Sequence, residues 1–236
     1  MFTHLHVHTE YSMLDGISRI PELVSHTKEL GMHSLAITDH GSLYGAVEFY
    51  SECKEAGIKP IIGCEVYVAH SSRREKSSSE RSPHHLVLLA RNNVGYQNLM
   101  QLVTLGHLEG FHYRPRIDKE LLVEMGQGLI CLSGCPSAEV PKLISDGNIE
   151  GAKEAAIWYQ ELFKDGYFLE LQSHQQVPQL DEINQGLVEL SKELSIPLIV
   201  TNDSHYVEQA HSPFQDIYIC IQTNTNIDDP KRLRME

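Results

Sequence analysis

Thr3-His4-Leu5-His6-Val7-His8-Thr9 is the stretch on which the rest of the chain depends. Side chains of an extended strand alternate between two faces, so His4, His6 and His8 are expected on one side, Leu5 and Val7 on the other. Imidazole is the commonest metal-binding side chain, and two of them at a strand end are spaced so that one cation can bridge them. Two histidines alone fix neither a coordination number nor a metal. What the other strands end in decides between a metal site and the wet face of an exposed strand.

Around this stretch lie 236 residues, 41% of them hydrophobic, enough to bury a sizeable core. Barrels of this length are often one domain, and a single soluble domain is expected. No basic and then apolar leader opens the chain, and no apolar run reaches the roughly eighteen residues of a membrane span, which predicts a cytoplasmic protein with no membrane contact. The five cysteines have no paired spacing and do not read as a disulfide framework. With 32 acidic against 19 basic residues, the formal charge of −13 has the wrong sign for holding nucleic acid by bulk electrostatics. A polyanionic substrate would need local cations, and bound divalent metals would supply them. The fourteen histidines fit that requirement without locating a site.

Apolar spacing over 20–30, with Pro21 in the first turn and Gly31 beyond the last, predicts a helix. Residues 34–38 read as a strand ending in Asp39-His40-Gly41, and 42–56 as a helix stopped by Gly57. Residues 59–63 and 66–69 read as one strand with an interruption, beside which Glu65 stands. The polar stretch 71–83 is expected to be a mobile surface loop, its three arginines and one lysine diluted by acids and without an aromatic residue to stack a base. A buried strand follows over 86–90, with His84 and His85 at its entrance, then a helix over 96–108 and a basic, aromatic connector over 109–117. Residues 129–132 form a strand ending in Ser133-Gly134-Cys135-Pro136, followed by helices over 138–144 and 150–164. A strand over 167–171 runs into Gln172-Ser173-His174. A helix over 180–194 precedes the last strand, 196–200, which ends in Thr201-Asn202-Asp203-Ser204-His205. About seven strands alternating with helices predict a parallel sheet. Closure into a barrel accounts for the length better than an open doubly wound sheet, although periodicity leaves both open. No glycine-rich nucleotide loop follows the first strand.

In parallel α/β folds, functional residues collect at the carboxyl ends of strands. His6 and His8 end the first strand, Asp39 and His40 the second, Glu65 follows the third, Cys135 the fifth, and Asp203 and His205 the last. His85 stands at the start of its strand and breaks the pattern, unless that strand runs antiparallel. Mixed nitrogen, carboxylate and thiolate donors suit Zn²⁺, Mn²⁺ or Fe²⁺ better than Ca²⁺.

Five segments then resemble one family. They are His6-Val7-His8-Thr9-Glu10-Tyr11-Ser12-Met13-Leu14-Asp15-Gly16, Thr38-Asp39-His40-Gly41, Gly63-Cys64-Glu65, Leu132-Ser133-Gly134-Cys135 and Thr201-Asn202-Asp203-Ser204-His205-Tyr206. They are similar to the polymerase and histidinol phosphatase (PHP) domain, in the version that opens bacterial DNA polymerase III alpha subunits. Gly45-Ala46-Val47-Glu48-Phe49-Tyr50, and Gly95-Tyr96-Gln97-Asn98-Leu99 continuing to Glu109-Gly110-Phe111, favour that branch over free-standing phosphatases. The resemblance implies an α/β fold, a distorted seven-stranded (β/α)7 barrel over 1–225, with 226–236 opening a linker towards a polymerase body. It implies two or three divalent metal ions (Zn, Mn or Fe) at one mouth. The family's nine ligands fall on His6, His8, Asp15, His40, Glu65, His85, Cys135, Asp203 and His205. His6, His8, Glu65 and Asp203 would hold one ion; Glu65, His85 and Cys135 a second; Asp15, His40 and His205 the third.

The function so implied is metal-dependent phosphodiester hydrolysis, as a 3′–5′ exonuclease acting on a DNA 3′ end, with Asp203, His205 and Glu65 catalytic. The expected partners are the remainder of a polymerase chain and a proofreading subunit. The alternatives are a metal-stabilised scaffold docking those partners, and a small-molecule phosphomonoesterase of the histidinol phosphatase type. No serine or cysteine has the setting of an activated nucleophile. Arg116 and His174, near expected strand ends, are candidate phosphate contacts. Asp39 is expected to orient His40, and His4 to stand behind the metal ligands or be structural. Without the resemblance, Cys135 would read as a buried thiol.

Overall fold

The computed structural model describes residues 2–13, 15–174, 177 and 179–234; Leu14 of the first motif and Met235 and Glu236 of the expected linker lie outside the described residues. Strands β1 (Ser34–Ile37), β2 (Lys59–Val68), β3 (His84–Ala90), β4 (Arg116–Ile117), β5 (Leu129–Leu132), β6 (Tyr167–Gln172) and β7 (Leu198–Thr201) belong to one sheet, ordered β1-β2-β3-β5-β6-β7, with the short β4 beside β2. Residues 4–8 close the ring. Ala36 and Thr38 donate to the carbonyls of His4 and Val7 on one side; on the other, His8 donates to Ser204 and Ser204 to His6. An extended amino-terminal segment thus joins the β1 and β7 edges and leaves neither exposed.

The sheet is mixed, correcting the parallel expectation: β3 runs antiparallel to both β2 and β5. Reversal puts the start of β3 where the other strands end, and it brings His85 to the same mouth as the other candidate ligands. Segments 59–63 and 66–69 are one continuous strand. Its first half pairs with β1 and its second with β3, so Glu65 stands inside β2, just past the change of partner.

One apolar residue from nearly every stave fills the barrel: Leu5, Ala36, Ile61, Val87, Leu132, Phe168 and Ile199. Val7 packs outward instead, with Ile20, Leu23 and Phe49 of α1 (Ile20–Glu29) and α2 (Ala46–Ala56). Leu5 and Val7 therefore do not share a face; the alternation slips near His6, and residues 3–9 make isolated bridges rather than a regular strand. A larger cluster lies outside β2, β3, β5 and β6, covered by α3 (Asn93–Leu108), α4 (Lys119–Met125), α5 (Glu139–Ser145), α6 (Ile149–Phe163) and α7 (Leu180–Leu194). Neither α4 nor the last helix, α8 (Ser212–Thr223), was expected from spacing. Asp118 caps α4 by accepting from Leu121 N at 3.1 Å.

The stretch 71–83 is not the mobile loop its composition predicts. Arg116, 0% exposed, reaches under it and donates to the carbonyls of Arg73, Glu75, Glu80 and Gly110 and to Glu80 Oε2. Arg73 is tied in turn to Asp118, Glu109 and Glu120. At the other end of the chain, Arg232 forms an ion pair with Asp216 of α8 at 2.6 Å, folding residues up to 234 onto that helix.

Candidate metal centre

The barrel mouth gathers all nine candidate ligands, each placed by a stave or by the turn after it. His6 and His8 come from the closing segment, Asp15 from the turn after it, and His40 from the turn after β1. Glu65 and His85 come from β2 and β3, Cys135 from the turn after β5, and Asp203 and His205 from the turn after β7. Asp203 adopts φ +47°, a backbone region that costs a non-glycine residue energy and that clusters at functional sites.

Glu65 is at the centre. Its Oε2 lies 3.4 Å from His6 Nε2, 3.2 Å from His8 Nε2 and 2.9 Å from His40 Nδ1. Its Oε1 lies 2.9 Å from His85 Nδ1 and 3.5 Å from Cys135 Sγ, which is itself 3.5 Å from His85 Nδ1. Asp203 Oδ1 faces His6 Nε2 and His8 Nε2 at 3.3 and 3.1 Å. His40 Nε2 is 3.2 Å from Asp15 Oδ2. The ring of His205 stacks on that of His8, with centroids 4.2 Å apart. Three carboxylates, Glu65, Asp203 and Asp15, thus sit among five imidazoles, with Glu65 turning one oxygen to each of two groups.

These residues fit divalent cations. His6 Nε2, His8 Nε2, His40 Nδ1, Asp15 Oδ1 and Asp203 Oδ1 are buried without an aligned hydrogen-bond partner among the described residues. Buried polar atoms are rarely left so, because each carries its full desolvation cost. Metal bonds of about 2.1 Å at tetrahedral angles put neighbouring donors roughly 3.4 Å apart, which is the spacing around Glu65 and Asp203. Three groups have donor atoms close enough to share an ion: His6, His8 and Asp203; His40, Glu65 and His85; and His8, His40 and His205. Pairing of His40 with Glu65 and His85 goes beyond the expected third trio.

Behind the donors stands a shell that fixes them. His6 Nδ1 contacts Glu170 Oε1 at 2.7 Å, and Gln172 and Thr201 also donate to Glu170. His8 Nδ1 contacts Ser12 Oγ at 2.9 Å. Asp39, expected to orient His40, holds the 9–12 turn instead: it accepts from Thr9 N at 2.6 Å, from Thr9 Oγ1 and from Ser12 Oγ. Ser12 Oγ also accepts from His40 N, so Asp39 reaches both His8 and His40 only through that hydroxyl. Glu170 and Gln172 escaped the sequence reading. Their signal was available, since both alternate with apolar residues on β6 and so share its inner face with Phe168. From α8, Gln222 Nε2 reaches Asp15 Oδ2 at 3.3 Å and Gln215 Nε2 reaches the Asp15 carbonyl.

Charge balance follows from the packing. Burial would raise the Glu65 carboxyl, but His85, His40 and His6 outweigh it and hold it well below the usual carboxylate range. Burial likewise opposes, and His6 and His205 overcome it, in lowering Asp203. For His6, burial lowers and Asp203, Glu170 and Glu65 raise, with the net well above an ordinary imidazole; His40 behaves alike beside Glu65 and Asp15. His205 goes the other way, to about 4, because burial and the neighbouring His8 outweigh its carboxylates. Burial, Glu65 and Asp203 all push the Cys135 thiol up, so it ionises only with a cation beside it.

Arg116 is not a phosphate contact. It lies away from the mouth and spends its guanidinium on the 73–80 loop and Gly110. His174 does line the mouth, in a cavity of about 270 Å³ that also touches Asp15, Glu65, Asp203 and, from the tail, Arg234. His4 lies edge-on to Phe2 and lines a second cavity beside α1, which His174, Asp203 and His205 also line.

Comparison with known proteins shows the family. The chain is 46% identical over its whole length to the DNA polymerase III subunit alpha of Borreliella burgdorferi, and 47% identical to that of Treponema pallidum. It spans about a fifth of those relatives, 21% and 20% of their lengths. Among solved structures, an amidohydrolase from Chromobacterium violaceum with bound sulfate and no metal superposes over 86% of this chain and 87% of its own, with TM-score 0.53 at 15% identity. A two-domain protein from Bacteroides vulgatus, containing a predicted PHP-like metal-dependent phosphoesterase, matches over 90% of this chain and 54% of its own, with TM-score 0.51 at 15% identity. At such identities the likeness is one of fold. No described helix is long and apolar enough to cross a membrane. The model of the PHP domain matches residues 4–174, well over half of the sequence, and the chain belongs to the PHP domain family.

Proposed function

We propose that this chain is the amino-terminal PHP domain of a bacterial DNA polymerase III alpha subunit and hydrolyses phosphodiester bonds, as a 3′–5′ exonuclease on a DNA 3′ end. The observation that carries the reading is the set of buried donor atoms around Glu65 that lack an aligned hydrogen-bond partner among the described residues. In this reading residues 1–225 are the phosphoesterase unit and 226–236 open the connection to the polymerase body, in a cytoplasmic setting. The rest of the polymerase chain and a proofreading subunit are the partners.

His6, His8, Glu65 and Asp203 would hold one divalent ion, Glu65, His85 and Cys135 a second, and Asp15, His40 and His205 a third, with Zn, Mn or Fe suited to these donors. Such ions supply activated water at neutral pH and positive charge for the leaving oxygen. The chain supplies the rest. Glu65 turns Oε2 to His6, His8 and His40 and Oε1 to His85 and Cys135, and so would serve both groups of donors. Asp203, held ionised by His6 and His205, presents its Oδ1 to the same space. His205 Nδ1 lies 2.8 Å from the Asp203 carbonyl, so that nitrogen carries the proton and Nε2 keeps its lone pair for a cation or a proton. Glu170 holds His6 in the corresponding tautomer.

The test is release of nucleotides from the labelled 3′ end of single-stranded DNA in Mn²⁺, comparing the chain with Asp203→Ala. Loss of release in a variant still folded by circular dichroism supports the reading. Stoichiometric metal with no release in either protein would point to a scaffold, and hydrolysis of p-nitrophenyl phosphate in preference to DNA would point to a phosphomonoesterase.

A further inference from the structure

The basic, aromatic connector 109–117 is left unexplained by the metal centre, yet it borders it. Pro115 packs on Gly41, beside His40: a Cβ added to Gly41 would come within 2.7 Å of Pro115 Cγ. Tyr67 lies between connector and centre, its ring centroid 5.7 Å from that of His40 and 5.1 Å from that of His85. Over its ring lies the Arg114 guanidinium, 5.7 Å from the centroid. The preceding residue, Tyr113, is 62% exposed and carries φ +62°, a left-handed conformation that a bulky residue rarely adopts. Arg81, from the facing loop, lies over the Tyr113 ring at 5.2 Å.

The neighbouring charges sort into two groups. Arg73, Arg74 and Arg116 are consumed by Asp118, Glu109, Glu120 and Glu80. Arg81 and Arg114 have no carboxylate within ion-pair distance among the described residues; both are exposed and rest on tyrosine rings. In a chain of formal charge −13, two uncommitted guanidinium groups flanking an exposed tyrosine at the rim of a phosphodiesterase site have the make-up of a single-strand platform. Guanidinium groups take backbone phosphates, and an aromatic ring takes a base of any sequence.

Resting on the exonuclease reading above, we propose that Arg81, Tyr113 and Arg114 form the platform along which a single DNA strand runs to the metal centre, Arg81 and Arg114 on phosphates and Tyr113 against a base. The platform lies on the Tyr67 side of the mouth, so the strand enters past His40 and His85.

Binding tests it independently of turnover. The probe is a fluorescently labelled oligodeoxythymidine of about ten nucleotides, longer than one stacking site needs, titrated by anisotropy in Ca²⁺ with the intact chain. Arg81→Gln combined with Arg114→Gln should weaken binding about tenfold and flatten the slope of log affinity against log salt by roughly 1.4, about 0.7 for each single-strand phosphate that is no longer neutralised. Tyr113→Ala should weaken it severalfold, and Tyr113→Phe should restore it. Thymidine 5′-monophosphate, too short to span the platform, should bind the double variant as it binds the parent. Circular dichroism and metal content confirm that each variant is intact. Unchanged strand affinity and salt slope in the double variant would overturn the platform. So would an equal loss in Lys54→Gln, since that would make the effect one of bulk charge. A strand held through these residues but never shortened sinks the exonuclease reading alone, whereas a strand shortened equally by parent and double variant sinks the platform alone.

Discussion

Around Glu65, buried carboxylates and imidazoles leave inward atoms without aligned partners; around Arg116, an equally buried guanidinium and its carboxylates leave almost nothing open. Glu80, opposite Arg116, accepts from His70 N, Ser71 N and Ser71 Oγ as well. Both regions take charge out of water, which is expensive in either case. At Arg116 the protein itself supplies the compensation, and the product is order in a loop whose composition argues for mobility. At Glu65 the compensation is incomplete without cations, and the product is a site. Burial of charge therefore does not mark function; unfilled valence in the buried groups does.

That contrast can be broken at either end. The largest effect is expected at the open cluster: Asp203→Ala should lower DNA hydrolysis by a thousandfold or more, about 4 kcal/mol of barrier, measured as 3′-end release. Stability measured in chelator should fall by less than at the closed cluster, since Asp203 Oδ1 faces only imidazoles, among them those of His6 and His8, whose raised protonation it supports. At the closed cluster the sign is reversed. Arg116→Met strands Glu80 and should cost about 3 kcal/mol in urea unfolding, while folded molecules keep their metal content. Replacing Glu80 by Leu in the same molecule should recover much of that loss, because an apolar pair leaves no stranded charge.

Smaller effects sharpen the account. Glu170→Gln keeps shape but removes the charge behind His6, and should weaken metal binding by roughly 10–100-fold in competition with a chelating dye. A pH series gives a finer test. In chelator, His6, His8 and His40 have pKa values above the unfolded 6.5, so their contribution is complete below pH 6.5 and is lost as pH rises through the raised values. His205, lowered to about 4, adds a stability loss only as pH falls below 6.5. Ligands bind cations deprotonated, so metal stabilisation grows with pH. The difference in Tm between metal-loaded and chelated protein should accordingly widen from pH 6.5 upward.

How far the sequence could be read follows from the range of the interactions involved. His6 and His8 share the mouth because one short extended segment carries both, and turns after strands placed His40, Cys135, Asp203 and His205 correctly. His85 was legible only as an exception, since the reversal of β3 depends on pairing with two distant strands. The slip that turns Val7 outward depends on where α1 and α2 pack, not on period. Residues 71–83 were misread because a residue more than thirty positions away organises them. Arg116 was misplaced for the same reason, a cation near a strand end being read as facing the mouth. Glu170 could have been found: a glutamate on the inner face of an apolar strand needs a partner, and His6 is that partner.

Anomalous diffraction from crystals of the chain grown with Mn²⁺ or Zn²⁺ tests the central claim most directly. The account predicts two or three peaks among the nine side chains, with Glu65 in contact with at least two of them, and none near Arg116. Absence of any peak at Glu65, with the imidazoles and carboxylates closed on one another by hydrogen bonds, would contradict it.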